Sequence, residues 1–541
     1  MKTTITLLFL LILFNATAQY DPIFKPSVLD GSNGFRMTPT ATSHSRLGHA
    51  VSFIGDINND GIDDIAIGDD YDIGDGTVTR PGKVFVVFGS TSIMPADFDL
   101  SSLDGSNGFI IKGKAEEDRL GEVLTGIKDV NGDGIDDFMT IDNNGAIVIY
   151  GKTGNFPAVI ERTDIDGSNG FIVEEDGITS VADAGDHNGD GINDFILGVP
   201  HWDEDAWIVF GRSDNFPATI SSNYFDGTKG YKAVNFSIGS RPAYVVSGLG
   251  DVNNDGFDDV IVGAWTNSHI DTDIQMSYLV YGHAGPFGAN LDLDNSTAAE
   301  AVQVSNEGNS FISRASSAGD INNDGIDDFV SDGNVFFGST TAYPRVLSQK
   351  TLDGTNGFHL PKFSFPAPIG DFNNDGIDDL ILDGALVLFG KSTSFTASLD
   401  LDYFDGTKGF RFDTNWSDDP GSAGRGDFNG DGIDDILTRT MVLFGGKNIS
   451  STPTSYRDNF LDENQLIVYP NPVKDILNIT TDESMIGGSL IITSYSGKEV
   501  YKELLSNRNQ KLDVSTLTSG LYILSIINEG YGVQRVKFNK L

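Results

Sequence analysis

From about residue 20 to residue 446 the chain alternates short apolar runs with polar, glycine-rich segments, and the runs recur in a fixed order. One run enters a polar loop, as in Leu47-Gly48-His49-Ala50-Val51. A second leaves it, as in Asp259-Val260-Ile261-Val262-Gly263. A third ends in an aromatic residue and glycine, at residues 84–89, 147–151, 207–211, 278–282, 334–338, 386–390 and 441–445. These runs are β-branched and aromatic with no helical period, so they predict strands. A fourth strand is predicted after each Asp-Gly turn starting at Asp30, Asp104, Asp166, Asp226, Asp353 and Asp405, with a degenerate copy near Asp292 and Asp294. One copy precedes the first loop and none follows the seventh. The pattern therefore predicts an all-β ring of seven four-stranded blades, a β-propeller, with the strand around residues 34–37 completing the last blade.

The loop between the first two runs has the chemistry of a cation site. In Asp56-Ile57-Asn58-Asn59-Asp60-Gly61-Ile62-Asp63-Asp64, oxygen-bearing side chains alternate and a glycine provides a sharp turn. Calcium takes six to eight oxygens, from carboxylates, amides, backbone carbonyls and water. The expected ligands are Asp56, Asn58, Asp60, the carbonyl of Ile62, and Asp64. The same pattern gives Asp129, Asn131, Asp133, Ile135 and Asp137; Asp186, Asn188, Asp190, Ile192 and Asp194; and Asp251, Asn253, Asp255, Phe257 and Asp259. Three more sets are Asp320, Asn322, Asp324, Ile326 and Asp328; Asp371, Asn373, Asp375, Ile377 and Asp379; and Asp427, Asn429, Asp431, Ile433 and Asp435. A polar turn needs glycine and asparagine, but it does not need the same oxygen set seven times. An EF-hand needs an acidic twelfth residue, and that position holds Ile67, Thr140, Leu197, Val262, Ser331, Leu382 and Thr438. Up to seven structural calcium ions are expected. His187, inside the third loop, is expected to face solvent.

Charge follows from these loops. The 541 residues carry a formal net charge of −43, and the seven loops supply 27 carboxylates. Such acidity argues against a nucleic-acid partner, which requires clustered Lys and Arg. The chain has no cysteine, which excludes disulfides and thiol catalysis. Residues 1–18 have the form of a signal peptide: Lys2, an apolar run over residues 5–14, and Ala16-Thr17-Ala18. No other apolar stretch is long enough for a transmembrane span. Residues 447–464 read as a Ser-, Thr- and Asn-rich linker, and residues 465–541 as a small C-terminal β-sandwich.

Two resemblances follow. The D-x-N-x-D-G-x-D-D loops, Leu47-Gly48 and Leu120-Gly121 in place of Phe-Gly, and Gly198-Val199-Pro200 in place of Gly-Ala-Pro are similar to the FG-GAP repeats of integrin α-subunit propellers and their bacterial relatives. That resemblance implies a seven-bladed propeller at residues 20–446, with calcium in the hairpin between the first two strands of each blade. Several blades lack the Phe-Gly and Gly-Ala-Pro halves, so it does not extend to integrin ligand binding. The tail, with Tyr469-Pro470-Asn471-Pro472, Ser496-Gly497-Lys498 and Ser519-Gly520-Leu521-Tyr522 in order, resembles the sorting domain of type IX secretion. It implies contact with that machinery, export across the outer membrane, and a secreted or surface location.

The expected function is non-catalytic binding or adhesion. Connections between second and third strands lie on the face opposite the calcium hairpins, and there Trp202 and Trp265 are candidate contacts for a glycan or protein ligand. The alternative is a polysaccharide lyase or hydrolase on the same scaffold. No nucleophile motif stands out, and the seven histidines are scattered.

Overall fold

The computed structural model describes residues 20–541 apart from 39–45, 72–79, 114–115, 201–204, 236–240, 266–274, 307–314, 362–365, 383–384, 414–424, 447–465, 470–472, 482–485, 495–497 and 529–531. The expected signal peptide, the linker, Trp202, Pro470-Asn471-Pro472 and Ser496-Gly497 lie outside the described residues. The chain divides into two compact units, Met1–Thr452 and Pro453–Leu541.

The described residues of the first unit form seven sheets, numbered here in chain order. Sheet 1 is an antiparallel meander of Val51–Gly55, Asp64–Asp69, Lys83–Val87 and Gly108–Lys112. Val84 and Val86 alternate with Phe85 and Val87, so each side of the sheet presents its own apolar row to a different neighbour. A fifth strand, Val159–Glu161, then adds in parallel at the outer edge. Thr219–Ile220, Asn290–Asp292 and Val346–Ser348 do the same for sheets 2, 3 and 4. The four-strand expectation thus misses one strand. Each fifth strand is only two or three residues long and belongs in sequence to a later repeat, so periodicity does not reveal it. Its role is to cover an edge that would otherwise leave backbone groups unpaired.

The N-terminal segment joins the last two sheets. Tyr20 packs its ring on Phe410 at 5.1 Å. Ile23–Phe24 is the outer parallel strand of sheet 6, and Gly34–Thr38 pairs antiparallel with Met441–Leu443 of sheet 7. Seven apolar clusters fill the spaces between neighbouring sheets, and one of them joins Phe35, Phe428 and Phe444 of sheet 7 to Phe53, Ile65 and Phe85 of sheet 1. Backbone hydrogen bonds trace the same cycle. The Lys152 N–H donates to the Ile57 carbonyl at 2.8 Å, and the equivalent bond recurs around to Ser90 N–H and the Phe428 carbonyl at 2.9 Å. The first unit is therefore a closed, propeller-like ring.

The second unit has two sheets. One contains Ile467–Tyr469, Ile476–Thr480 and Asn509–Asp513. The other contains Glu499–Leu504, Ser489–Ser494, Gly520–Asn528 and Gly532–Lys540. Leu477 and Ile479 of the first share one core with Leu490, Ile492, Leu524 and Phe538 of the second, a β-sandwich. Among the described residues no helix is long and apolar enough to cross a membrane.

Ring closure is testable at Phe35, which is fully buried between the ends of the ring. Phe35→Ala should cost about 3–5 kcal/mol of stability. Ile23→Ala, at an exposed position of the outer strand, should cost less than about 1 kcal/mol. Urea unfolding of the full chain measures both.

Candidate metal-binding loops

Each loop is first a hydrogen-bonded hairpin. In loop 1 the Asp56 carboxylate accepts the N–H groups of Asp60 at 2.9 Å and Gly61 at 2.7 Å, and Asp60 accepts Ile62 N–H at 3.1 Å. Glycine is required at the sixth position because φ lies between 83° and 93° in all seven loops, a region costly for a residue with a Cβ. The first and fifth carboxylates thus hold the turn, while the Asn58 amide nitrogen donates to Asp64 at 3.3 Å.

The ninth residue differs. Asp64, Asp137, Asp194, Asp259, Asp328, Asp379 and Asp435 are fully buried. In every loop this carboxylate accepts the N–H of the aromatic-Gly glycine, from Gly89 to Gly445, at 2.8–2.9 Å. It therefore staples the loop to the third strand of its sheet. This explains the glycine: a Cβ at Gly89 would stand 2.4 Å from the Asp63 carbonyl oxygen. Burial pushes the Asp137 carboxyl up to about 8 and that of Asp194 up to about 9, and repulsion from the first and fifth carboxylates adds to the effect. The other five lie above the carboxylate range for the same reasons.

The eighth residue, to which the sequence pattern assigns no role, clasps neighbouring sheets. Asp136 accepts the N–H of Asp56 at 3.0 Å, Asp258 that of Asp186 at 2.7 Å, and Asp63 that of Asp427 at 2.9 Å. Asp327, Asp378 and Asp434 repeat the contact at 2.9–3.0 Å. Repetition of Asp at this position in six of seven loops was the available signal.

The donor chemistry fits a hard cation. Each loop offers carboxylates, one amide oxygen and a carbonyl, and its carboxylates repel one another. Asn253 Oδ1 and Asp328 Oδ2 are buried without a hydrogen-bond partner. Among the described residues, however, no three His, Cys, Asp or Glu side chains are grouped so as to hold a metal ion as the loops stand. The first and fifth carboxylates bond to loop N–H groups, and the ninth is turned onto the third strand.

His187 contradicts its expected exposure. It occupies the second loop position, where the other loops carry Ile57, Val130, Val252, Ile321, Phe372 and Phe428, and it is fully buried like them. Its ring nitrogens lie 2.8 Å from the Asp258 carbonyl and from the Tyr231 hydroxyl, and its ring stacks on Tyr231 and Phe287. Burial lowers its pKa to about 4. A polar ring fits this apolar slot because both nitrogens find partners. Trp202 lies outside the described residues. Of Trp265 only the backbone is described, pairing with Arg241 at the end of its strand.

Residues 467–538 match the family described as the secretion system C-terminal sorting domain. Integrin alpha-V of Gallus gallus is 26% identical over 263 residues, covering 46% of this chain; the chain spans 23% of that protein's length. A solved structure of PorZ, an essential bacterial surface component of the type-IX secretion system of Porphyromonas gingivalis, aligns over 91% of this chain and 75% of its own. Its identity is 11% and its TM-score 0.18, a superposition too poor to bear on the fold. The C-terminal domain marks the chain for type IX secretion, to the cell surface or beyond it.

The staple can be separated from a metal role. Asp379→Ala leaves the Gly390 and Asn373 N–H groups without their acceptor. It should cost roughly 2–5 kcal/mol, and the loss should persist in excess EGTA, read by thermal unfolding.

Proposed function

We propose that the chain is a calcium-stabilised, non-catalytic binding protein delivered to the cell surface or medium by type IX secretion. The observation that carries this reading is the seven-fold recurrence of one oxygen-rich hairpin in a ring closed by hydrogen bonds. A calcium ion at each loop would supply positive charge between carboxylates that otherwise repel. The first, third and fifth side chains, the seventh carbonyl and the ninth carboxylate would hold it. Seven alike sites suit architecture better than chemistry, since a catalytic metal needs an open position and a nearby base. Ligand contact then falls to the opposite end of the ring, where the connections differ between sheets. Trp202 and Trp265 are the proposed anchors for a glycan or protein there.

Calcium should raise the melting temperature and EGTA should lower it, since each ion held at a hundredfold excess over its Kd contributes about 2.7 kcal/mol. Asp60→Ala should lower the calcium stoichiometry by one in isothermal titration and change stability little in EGTA. An unchanged stoichiometry would remove Asp60 from the ligand set. Binding is tested by applying the full chain to a glycan array in calcium. Selective retention that Trp202→Ala or Trp265→Ala weakens is the expected result. Release of new reducing ends from a polysaccharide would overturn the non-catalytic reading.

A further inference from the structure

One of the seven junctions between sheets departs from the others at three positions together. In six loops the residue before the first aspartate is glycine; before Asp129 it is Lys128. In six loops the eighth residue is aspartate; in loop 3 it is Asn193. Three residues before the first aspartate stand Phe53, Gly126, Gly248, Ser317, Pro368 and Gly424, but loop 3 has Asp183. All three departures meet where sheet 2 adjoins sheet 3.

The geometry explains why they occur together. At five of the six regular junctions the clasping carboxylate occupies the space of a missing Cβ: one added at Gly55 would stand 2.1 Å from Asp136 Oδ2, and one at Gly185 the same distance from Asp258 Oδ2. At Lys128 that Cβ exists, so an aspartate at position 193 could not adopt the clasping pose. Asn193 instead bonds the Asp183 carboxylate, which also accepts the Gly185 N–H at 3.1 Å. Lys128 holds φ at +52°, a conformation unfavourable for a residue with a side chain. This junction thus gives up a clasp and accepts backbone strain, and it gains an ammonium, a carboxylate and an amide.

All three residues line a cavity of about 730 Å³ walled by the first strands of the sheets. That volume lies in the range of small-molecule sites, about 300–1,000 Å³. Hydroxyls of Ser52, Thr125, Ser247 and Ser316 line the same cavity. Its wall carries six carboxylates against two cations, Lys128 and Arg425. Arg425 is engaged by Asp378 at 3.5 Å and Asp434 at 3.3 Å. Such a wall repels free anions and has little to offer an apolar ligand, while a simple cation would have no use for Lys128. Neutral groups that both donate and accept, above all vicinal hydroxyls, match an ammonium beside a carboxylate and an amide.

We propose that Lys128, Asp183 and Asn193 form a saccharide-binding site in the wall of this cavity, taking the hydroxyl groups of a glycan terminus. The site deepens the binding role above and rests on it. The test is saturation-transfer NMR of the full chain with a panel of free mono- and disaccharides, in calcium. Lys128→Gly/Asp183→Ser/Asn193→Asp removes all three departures together, so it should fold with an unchanged or higher melting temperature and an unchanged calcium-induced shift. It should bind the saccharide at least tenfold more weakly. Asp183→Ser, which installs the residue found in sheet 5, should show the same loss. Equal binding by the wild type and these variants would overturn the site and leave the wider binding role standing. Absence of saturation transfer from the wild-type chain to any saccharide would overturn the saccharide assignment, and a positive glycan array would then show that the failure lies here alone.

Discussion

The structure depends on a carboxylate buried at the end of each loop. A buried carboxyl group is costly unless it is hydrogen-bonded, and here the partner is fixed: the N–H of the glycine that ends the third strand. That bond brings loop and strand end together, and the close approach excludes any side chain at the glycine. The carbonyl just beyond the loop's first residue then receives a strand-end N–H from the next sheet. One short segment thus sets both the inside of a sheet and its seam with a neighbour.

Because seven segments repeat the solution, stability is spread around a cycle. Each seam combines an apolar cluster with a backbone bond, and six of the seven add a carboxylate clasp. A cycle has no free end only if its first and last sheets meet. The N-terminal residues accomplish this by completing sheet 7 with Gly34–Thr38, whose Phe35 and Met37 share one apolar cluster with Phe53, Ile65 and Phe85 of sheet 1. The seam between sheets 2 and 3 keeps its apolar cluster and its backbone bond, from Arg212 N–H to the Val130 carbonyl. A local exchange of side chains there therefore leaves the ring intact.

Seven near-identical hairpins crowd carboxylates at one end of the sheets, and this part of the ring differs little from one sheet to the next. Asymmetry in this ring is found in the unequal connections between second and third strands and in the odd junction of the cavity wall.

Strand order, the seven-fold repetition of the loop and the sorting tail were legible in the sequence, because each is local: a period of two, a turn pair, or a motif within a short stretch of chain. Contacts made by the eighth loop residue, such as Asp136 with Asp56 and the long reach of Asp63 to Asp427, were not legible, because they join residues far apart in sequence. The fifth strands escape the pattern because two or three residues carry no periodicity. The burial of His187 escapes it because polarity alone does not reveal the apolar slot that its loop position fixes. Composition and spacing thus determined which units form. Only the closed ring decided which carboxylates reach a neighbouring sheet and which stay within their own, because the partner of the eighth loop residue lies in the next sheet.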